Sequence, residues 1–366
     1  MTAKLVFENL KHKPMRSLLS FLLIGVPVTL ILTLVGLSHG MLNDSERRMR
    51  GSGADIMVRG KDATAILSSG PPTLSEKFLD YLARQPHVTA VMGVLTHAIE
   101  LPLVVNGIDI EQFNKLSGGV RYLSGGAFQG PDDIILDRYY AQQKKKRVGD
   151  TIELMNHRWR VSGIVEGGQL AHVLAPLKTL QDHDSQPNKL TLIYLKLDNP
   201  ANTQAVIADL KKQLEGYPIW SMEDVASQLN ASVNSQGLNE FIGVIIGIGV
   251  VIGFAVVCLS MYMSVLQRTR EIGILKSLGG SKLLILGIIW VEALLLGLGG
   301  TVLGIIMSYG ARWAIETLKP ASFQVEIVYS WWLIAGLITL AGASLGAIYP
   351  GLSAASHDPI EALAYE

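Results

Sequence analysis

Four long stretches almost free of charge limit what this chain can fold into. They run from Ser17 to Asn43, from Phe241 to Gln267, from Leu283 to Ala311, and between Glu326 and Asp358, with only Glu292 interrupting the third. A bilayer core is crossed by about 20 apolar residues of helix, and a helix is one of the few structures that satisfies its own backbone there. The sequence therefore predicts four transmembrane helices. Charged residues make up 17% of the chain, against roughly 25% in soluble proteins. The formal net charge of +0 implies no nucleic-acid partner. The first stretch exceeds the roughly 7–15 residues of a secretory h-region, and no small-x-small cleavage site follows it, so it is expected to stay attached. Pro27 is expected to bend it, because proline removes a backbone donor.

Lysine and arginine in the short connections set the orientation. Lys4, Lys11, Lys13 and Arg16 precede the first stretch. Arg268, Arg270, Lys276 and Lys282 lie between the second and third, and only Arg312 and Lys319 between the third and fourth. Both termini are thus expected in the cytoplasm and residues 43–236 outside. Arg47, Arg48 and Arg50 point the other way, but long domains are translocated largely regardless of charge.

The expected order is a cytoplasmic N-terminal segment (1–16), a first span (17–42), the large outer domain (43–236), a second span (237–267) and a cytoplasmic connection (268–281). A third span (282–311), a short external loop (312–328), a fourth span (329–352) and a cytoplasmic tail (353–366) follow. The outer domain reads as α+β. Strand patterns occur at Ala54–Arg59, Val88–Val94, Leu190–Leu197 and Pro218–Ser221, and helix patterns at Leu74–Gln85 and Asn202–Leu214. Between them, residues 107–189 form a β-rich insertion holding Ile134–Leu136, Thr151–Leu154 and Trp159–Val165, with Gly149-Asp150 as a hairpin-type turn signal. Polar, helix-compatible flanks (43–53 and 222–240) are expected to form a stalk. The basic run Lys144–Arg147 reads as a solvated turn before a strand.

The connection Arg268–Lys282 carries the most information. Ile272, Leu275 and Leu278 share one side of a short helix. Gly279 and Gly280 end it, since glycine adopts the left-handed conformation cheaply, and Ser281 can cap the next helix. Arg270-Glu271-Ile272-Gly273-Ile274-Leu275-Lys276-Ser277-Leu278-Gly279 resembles the coupling-helix signature of MacB/FtsX-type ABC-transporter permeases, the mechanotransmission class. Tyr349-Pro350-Gly351 and Asp358–Leu363 resemble that family's closing motif; Asn9-Leu10 and Arg16–Leu19 resemble its opening motif. The resemblance covers both membrane halves and is looser in the soluble middle, where Val148–Ile152 and Val161–Val165 resemble a stretch of the MacB-type periplasmic core.

The resemblance implies an inner-membrane permease with a porter-like lobe and a β-rich inserted lobe between its first two helices. It implies ABC ATPase subunits docked at Arg268, Arg270, Glu271, Ile272, Gly273, Leu275, Lys276, Leu278 and Gly279, with ATP and Mg held by that partner. It also implies a second permease copy, either a homodimer partner or a paralogue. The MacB-like branch adds a periplasmic adaptor and a TolC-like outer-membrane protein. A LolC/LolE-like lipoprotein-releasing permease and an FtsX-like signalling permease are the alternatives. Membrane lipid is an expected partner, and no cofactor is expected to be bound by this chain itself. No GxxxxGK[ST] loop occurs, as Gly60-Lys61 is followed by Asp62. Glu292 lies ten residues past Lys282, about 15 Å along a helix. A carboxylate at that depth is a functional-site candidate by default; its structural alternatives are a helix that begins below the membrane surface or a bond to a hydroxyl such as Ser260, Tyr262 or Ser264. Asp182-His183-Asp184 with His172 gives no convergent metal spacing. Small residues four apart (Gly243/Gly247, Gly249/Gly253, Gly300/Gly304, Gly342/Gly346) predict close helix packing.

Overall fold

The computed structural model describes residues 14–61, 71–100, 103–235, 238–267, 269–277 and 279–356. The chain forms two compact units: residues 1–39, 237–314 and 325–366 make one, and residues 40–236 with 315–324 make the other.

The first unit is helical. Helix α1 is described over Pro14–Gly51. It contributes residues 14–39 here and the remainder to the second unit. Among the described residues, four helices are long and apolar enough to cross a membrane: Ser17–Gly51 within α1, Gly243–Gln267, Lys282–Leu318 and Tyr329–Ser356. Their core centres on Ile24, Val257, Met261, Ile289, Ala293 and Ala347.

The second unit is an α+β domain whose main sheet has ten strands. In chain order these are β1 (Ile56–Arg59), then β2 (Leu74–Ser75) outside the main sheet, helix α2 (Lys77–Ala83), β3 (Val88–Glu100) and β4 (Leu103–Ile108). Next come α3 (Ile110–Ser117), β5 (Tyr122–Gly125), β6 (Asp133–Asp137), α4 (Arg138–Lys144), β7 (Thr151–Leu154) and β8 (His157–Val165). Last come β9 (Val173–Pro176), α5 (Leu177–His183), β10 (Lys189–Leu190), β11 (Leu192–Leu197), α6 (Thr203–Gln213), β12 (Ile219–Ser221) and α7 (Met222–Ser235). The strand order is β12-β1-β11-β3-β4-β9-β6-β8-β5, with β7 on β8, while β2 pairs with β10.

Alternation explains the layers. Ile56 and Val58 of β1 face a core shared with Leu82 of α2 and Val206, Ile207 and Leu210 of α6. Met57 faces the opposite core with Met92, Phe113, Tyr194 and Val225. Both faces of β1 are covered, so all four of its residues are buried. A third core packs Trp159, Tyr140, Leu136, Val161 and Val173. The porter-like and inserted lobes share one sheet, joined where β4 pairs parallel with β9 through Val105 and Val173.

The β-rich insertion also contains helices that strand patterning concealed. Asp137 caps α4 by accepting the N–H of Tyr140. Lys144 ends that helix, and Lys145 follows at φ 52 in a left-handed cap. The basic run is therefore a helix terminus and its exit. The hairpin between β7 and β8 turns at Met155 and Asn156, φ 55 and 56, rather than at Gly149-Asp150, which links α4 to β7. Two consecutive left-handed residues define the type I′ turn that hairpin twist favours; a methionine there gives no advance signal. The segment expected as a loop, 312–328, stays helical to Leu318.

Candidate functional site

The polar connection between helices α8 (Leu238–Gln267) and α10 (Lys282–Leu318) folds as α9 (Thr269–Ser277). Two glycines terminate it. The Gly280 N–H donates to the Leu275 carbonyl (2.9 Å) and the Gly279 N–H to the Lys276 carbonyl (3.0 Å). With Gly279 at φ +91, this is a Schellman turn. Ser281 caps α10, its Oγ accepting the Leu284 N–H at 3.2 Å. Gly279→Val forces a branched residue into the left-handed region, at about 1–2 kcal/mol. Exchange of the Gly280 amide is expected to quicken about 5- to 30-fold, read by hydrogen-exchange mass spectrometry against Ser277→Val as control.

One face of α9 rests on the helical unit and the other is open. Ile272 packs against the Val257–Met261–Ala354 core, and Gly273 is buried. The Lys276 ammonium donates to the Ala355 carbonyl at 2.8 Å, where it meets the negative end of the last helix, α11 (Tyr329–Ser356). Ile274 and Leu275 are 45% and 36% exposed, so Leu275 does not share the packed side of Ile272 as their spacing predicts. Arg270 and Glu271 lie on α9; Arg268 and Leu278 fall outside the described residues, as do Asn9-Leu10 and the Asp358–Leu363 motif.

Glu292 is buried in the helical unit, on the stretch of α10 that also buries Ile289, Ala293 and Leu296. The Ser264 hydroxyl of α8 donates to Glu292 Oε1 at 3.2 Å, one of the hydroxyls anticipated from sequence. Elsewhere Ser20 and Ser260 hydroxyls meet at 3.1 Å, and Thr29 donates to the Gly304 carbonyl at 3.0 Å.

The α+β domain holds a buried ionic cluster that no sequence pattern announces. Arg48 Nε donates to Asp44 Oδ2 at 2.8 Å. Arg48 Nη2 and His172 Nδ1 both reach Asp137 Oδ2, at 2.9 and 2.8 Å. Asp137 is fully buried, and Arg48 and His172 nearly so. Burial alone would push the Asp137 carboxyl up. The hydrogen bond from His172, the charges of His172 and Arg48, and the Tyr140 N–H outweigh it and hold the group below the ordinary carboxylate range. His183 belongs to a different group: its ring nitrogens face Asp184 Oδ1 (3.1 Å) and the Met155 carbonyl (2.7 Å). The hydrogen bond with Asp184 leads in raising the His183 pKa. His172 and the Asp182–Asp184 run, which gave no convergent metal spacing in the sequence, lie with different partners.

Four apolar helices, a short amphipathic helix between the second and third, and an α+β domain after the first define an integral membrane protein of permease type. The sequence matches the model of the MacB-like periplasmic core domain over residues 17–213 and that of the FtsX-like permease C-terminal region over residues 243–359. The chain belongs to the MacB/FtsX-like family of ABC-transporter permeases. It is similar along almost its whole length to two uncharacterized ABC transporter permeases. One is MJ1507 of Methanocaldococcus jannaschii, 24% identical over 98% of this chain and 96% of the relative. The other is YknZ of Bacillus subtilis, 26% identical over 98% and 96%. It is also 24% identical to the macrolide export ATP-binding/permease protein MacB of Acinetobacter baylyi, over 96% of this chain but 57% of that protein.

Proposed function

We propose that this chain is the permease subunit of an ABC transporter that receives the stroke of a separate ATPase at α9 and passes it to the α+β domain. The observation that carries the reading is the two-faced geometry of α9. Ile272, Gly273 and Lys276 hold it to the helical unit, while Ile274 and Leu275 remain available to a partner. ATP and Mg sit in the ATPase. Both termini lie in the cytoplasm and the α+β domain lies outside the inner membrane, as the distribution of lysine and arginine supports. A second permease copy completes the unit. Val244, Ile248 and Val251 of α8 are exposed, and a Cβ at Gly243 or Gly247 would meet nothing within 4 Å, which leaves room for a second set of helices. The names of the MacB relatives support export as the task, with an adaptor and a TolC-like duct where an outer membrane is present. Glu292 serves packing through Ser264.

Leu275→Glu, or Glu271→Lys, is expected to cut recovery of the ATPase with the detergent-extracted permease at least about tenfold, the effect of roughly 1.4 kcal/mol. Membrane insertion should be unaffected. Equal recovery with both variants and the unaltered chain would refute the docking assignment.

A further inference from the structure

The stretch between α10 and α11 does more than connect two helices. Residues 315–324 belong to the α+β unit. Ala321 is 3% exposed and lies in the core around Trp159. Its N–H donates to Gln143 Oε1 of α4 at 3.0 Å. Gln324 Nε2 donates to Asp44 Oδ1 of α1 at 3.0 Å. Asp44 holds Arg48, Arg48 holds Asp137, and Asp137 caps α4, the helix that carries Gln143. The contacts close on themselves: from Gln324 to Asp44, to Arg48, to Asp137, along α4 to Gln143, and back to Ala321. A surface connector has no need of a buried alanine or of two side-chain amides. A closed ring with a desolvated ion pair on one side resists shear, because slipping any member unpairs a buried polar group.

We propose that residues 315–324 are a second input arm to the α+β domain, one that meets the end of α1 at the Asp44–Arg48–Asp137–His172 cluster. Gln143 and Gln324 are its positioning residues. Movement of the third and fourth helices then reaches the lobe built on β6, β8 and β9 directly, alongside movement arriving through α1. The inference rests on the transmission function proposed above and adds a second route to it.

The test uses the full chain in lipid nanodiscs with the ATPase recovered alongside it. Hydrogen exchange is followed without nucleotide and after trapping with ATP and vanadate. The double variant Gln143→Ala/Gln324→Ala releases the arm but keeps all four ionisable groups, so its unfolding temperature is expected to fall by less than about 10 °C. In the unaltered complex, exchange at α4 (Arg138–Lys144) and at Val173–Pro176 should change several-fold on trapping. In the double variant that change should vanish, while ATP hydrolysis and the response of residues 40–51 persist. An undiminished response of α4 in the double variant overturns the second arm and leaves the transmission function standing. A complex in which no segment of the domain responds to trapping overturns the transmission function itself, and the arm with it.

Discussion

Asp137→Ala is expected to lower the unfolding temperature of the α+β domain by about 6–20 °C, which corresponds to roughly 3–5 kcal/mol for breaking a buried pair in a domain of this size. The carboxylate has three partners, Arg48, His172 and the Tyr140 N–H. Removing it takes one of the two carboxylates, Asp44 and Asp137, that Arg48 bonds among the described residues, in a place where Arg48 is 9% exposed and its Nη1 already has no hydrogen-bond partner among those residues. It also uncaps α4, which costs about 1 kcal/mol by itself. Asp198→Ala is the comparison. Asp198 pairs with His87, but their side chains are 48% and 50% exposed, and exposed pairs contribute little. Circular dichroism of the detergent-solubilised chain measures both; equal shifts would remove the special role assigned to the cluster. The pH dependence has a definite sign. The folded Asp137 carboxyl titrates below its unfolded value of 3.8, so its contribution is complete above that pH and is lost as pH falls through the lowered native value. Asp137→Asn should therefore flatten the acid limb of the stability curve.

The double variant Gly300→Val/Gly304→Val is expected to separate α1 from α10. A Cβ at Gly300 would lie 2.5 Å from Ile24 Cγ2, and one at Gly304 2.6 Å from Val28 Cβ and 2.8 Å from the Gly25 carbonyl oxygen. Ile24 and Val28 are 2% and 1% exposed, so neither can swing aside. Each valine forces overpacking of about 1–3 kcal/mol, and the Thr29–Gly304 hydrogen bond stretches as the helices part. Gly243→Val/Gly247→Val makes the same chemical change at the same spacing, yet both positions open onto empty space within the chain. In detergent the first pair should aggregate or melt early by fluorescence-detected size exclusion, and the second should behave like the unaltered chain as a monomer. Equal behaviour of the two pairs would contradict the assigned packing.

These two pairs show where sequence reading stops. Gly243/Gly247 and Gly300/Gly304 have the same spacing and the same apolar surroundings. Spacing reports that a helix face is smooth, but says nothing about what lies against it. The end of α9 was legible because it is local: Gly279, Gly280 and Ser281 act on their own backbone within one turn. The strands around Ile56 and Leu192 were legible for the same reason, through period and β-branched content. Helices α4 and α5 were not, because each lies inside the insertion, where the neighbouring strand patterns dominate the local period.

The chain's four apolar stretches and the glycine-closed helix between the second and third were determined by the sequence alone, since bilayer thickness and backbone geometry act on contiguous residues. Only the tertiary structure decided that Asp44, Arg48, Asp137, His172 and Gln324 meet, and that the end of α10 and the residues after it, 315–324, belong to the α+β domain. Such meetings depend on contacts between residues as far as 280 positions apart, and no local pattern encodes which buried charge will find which partner.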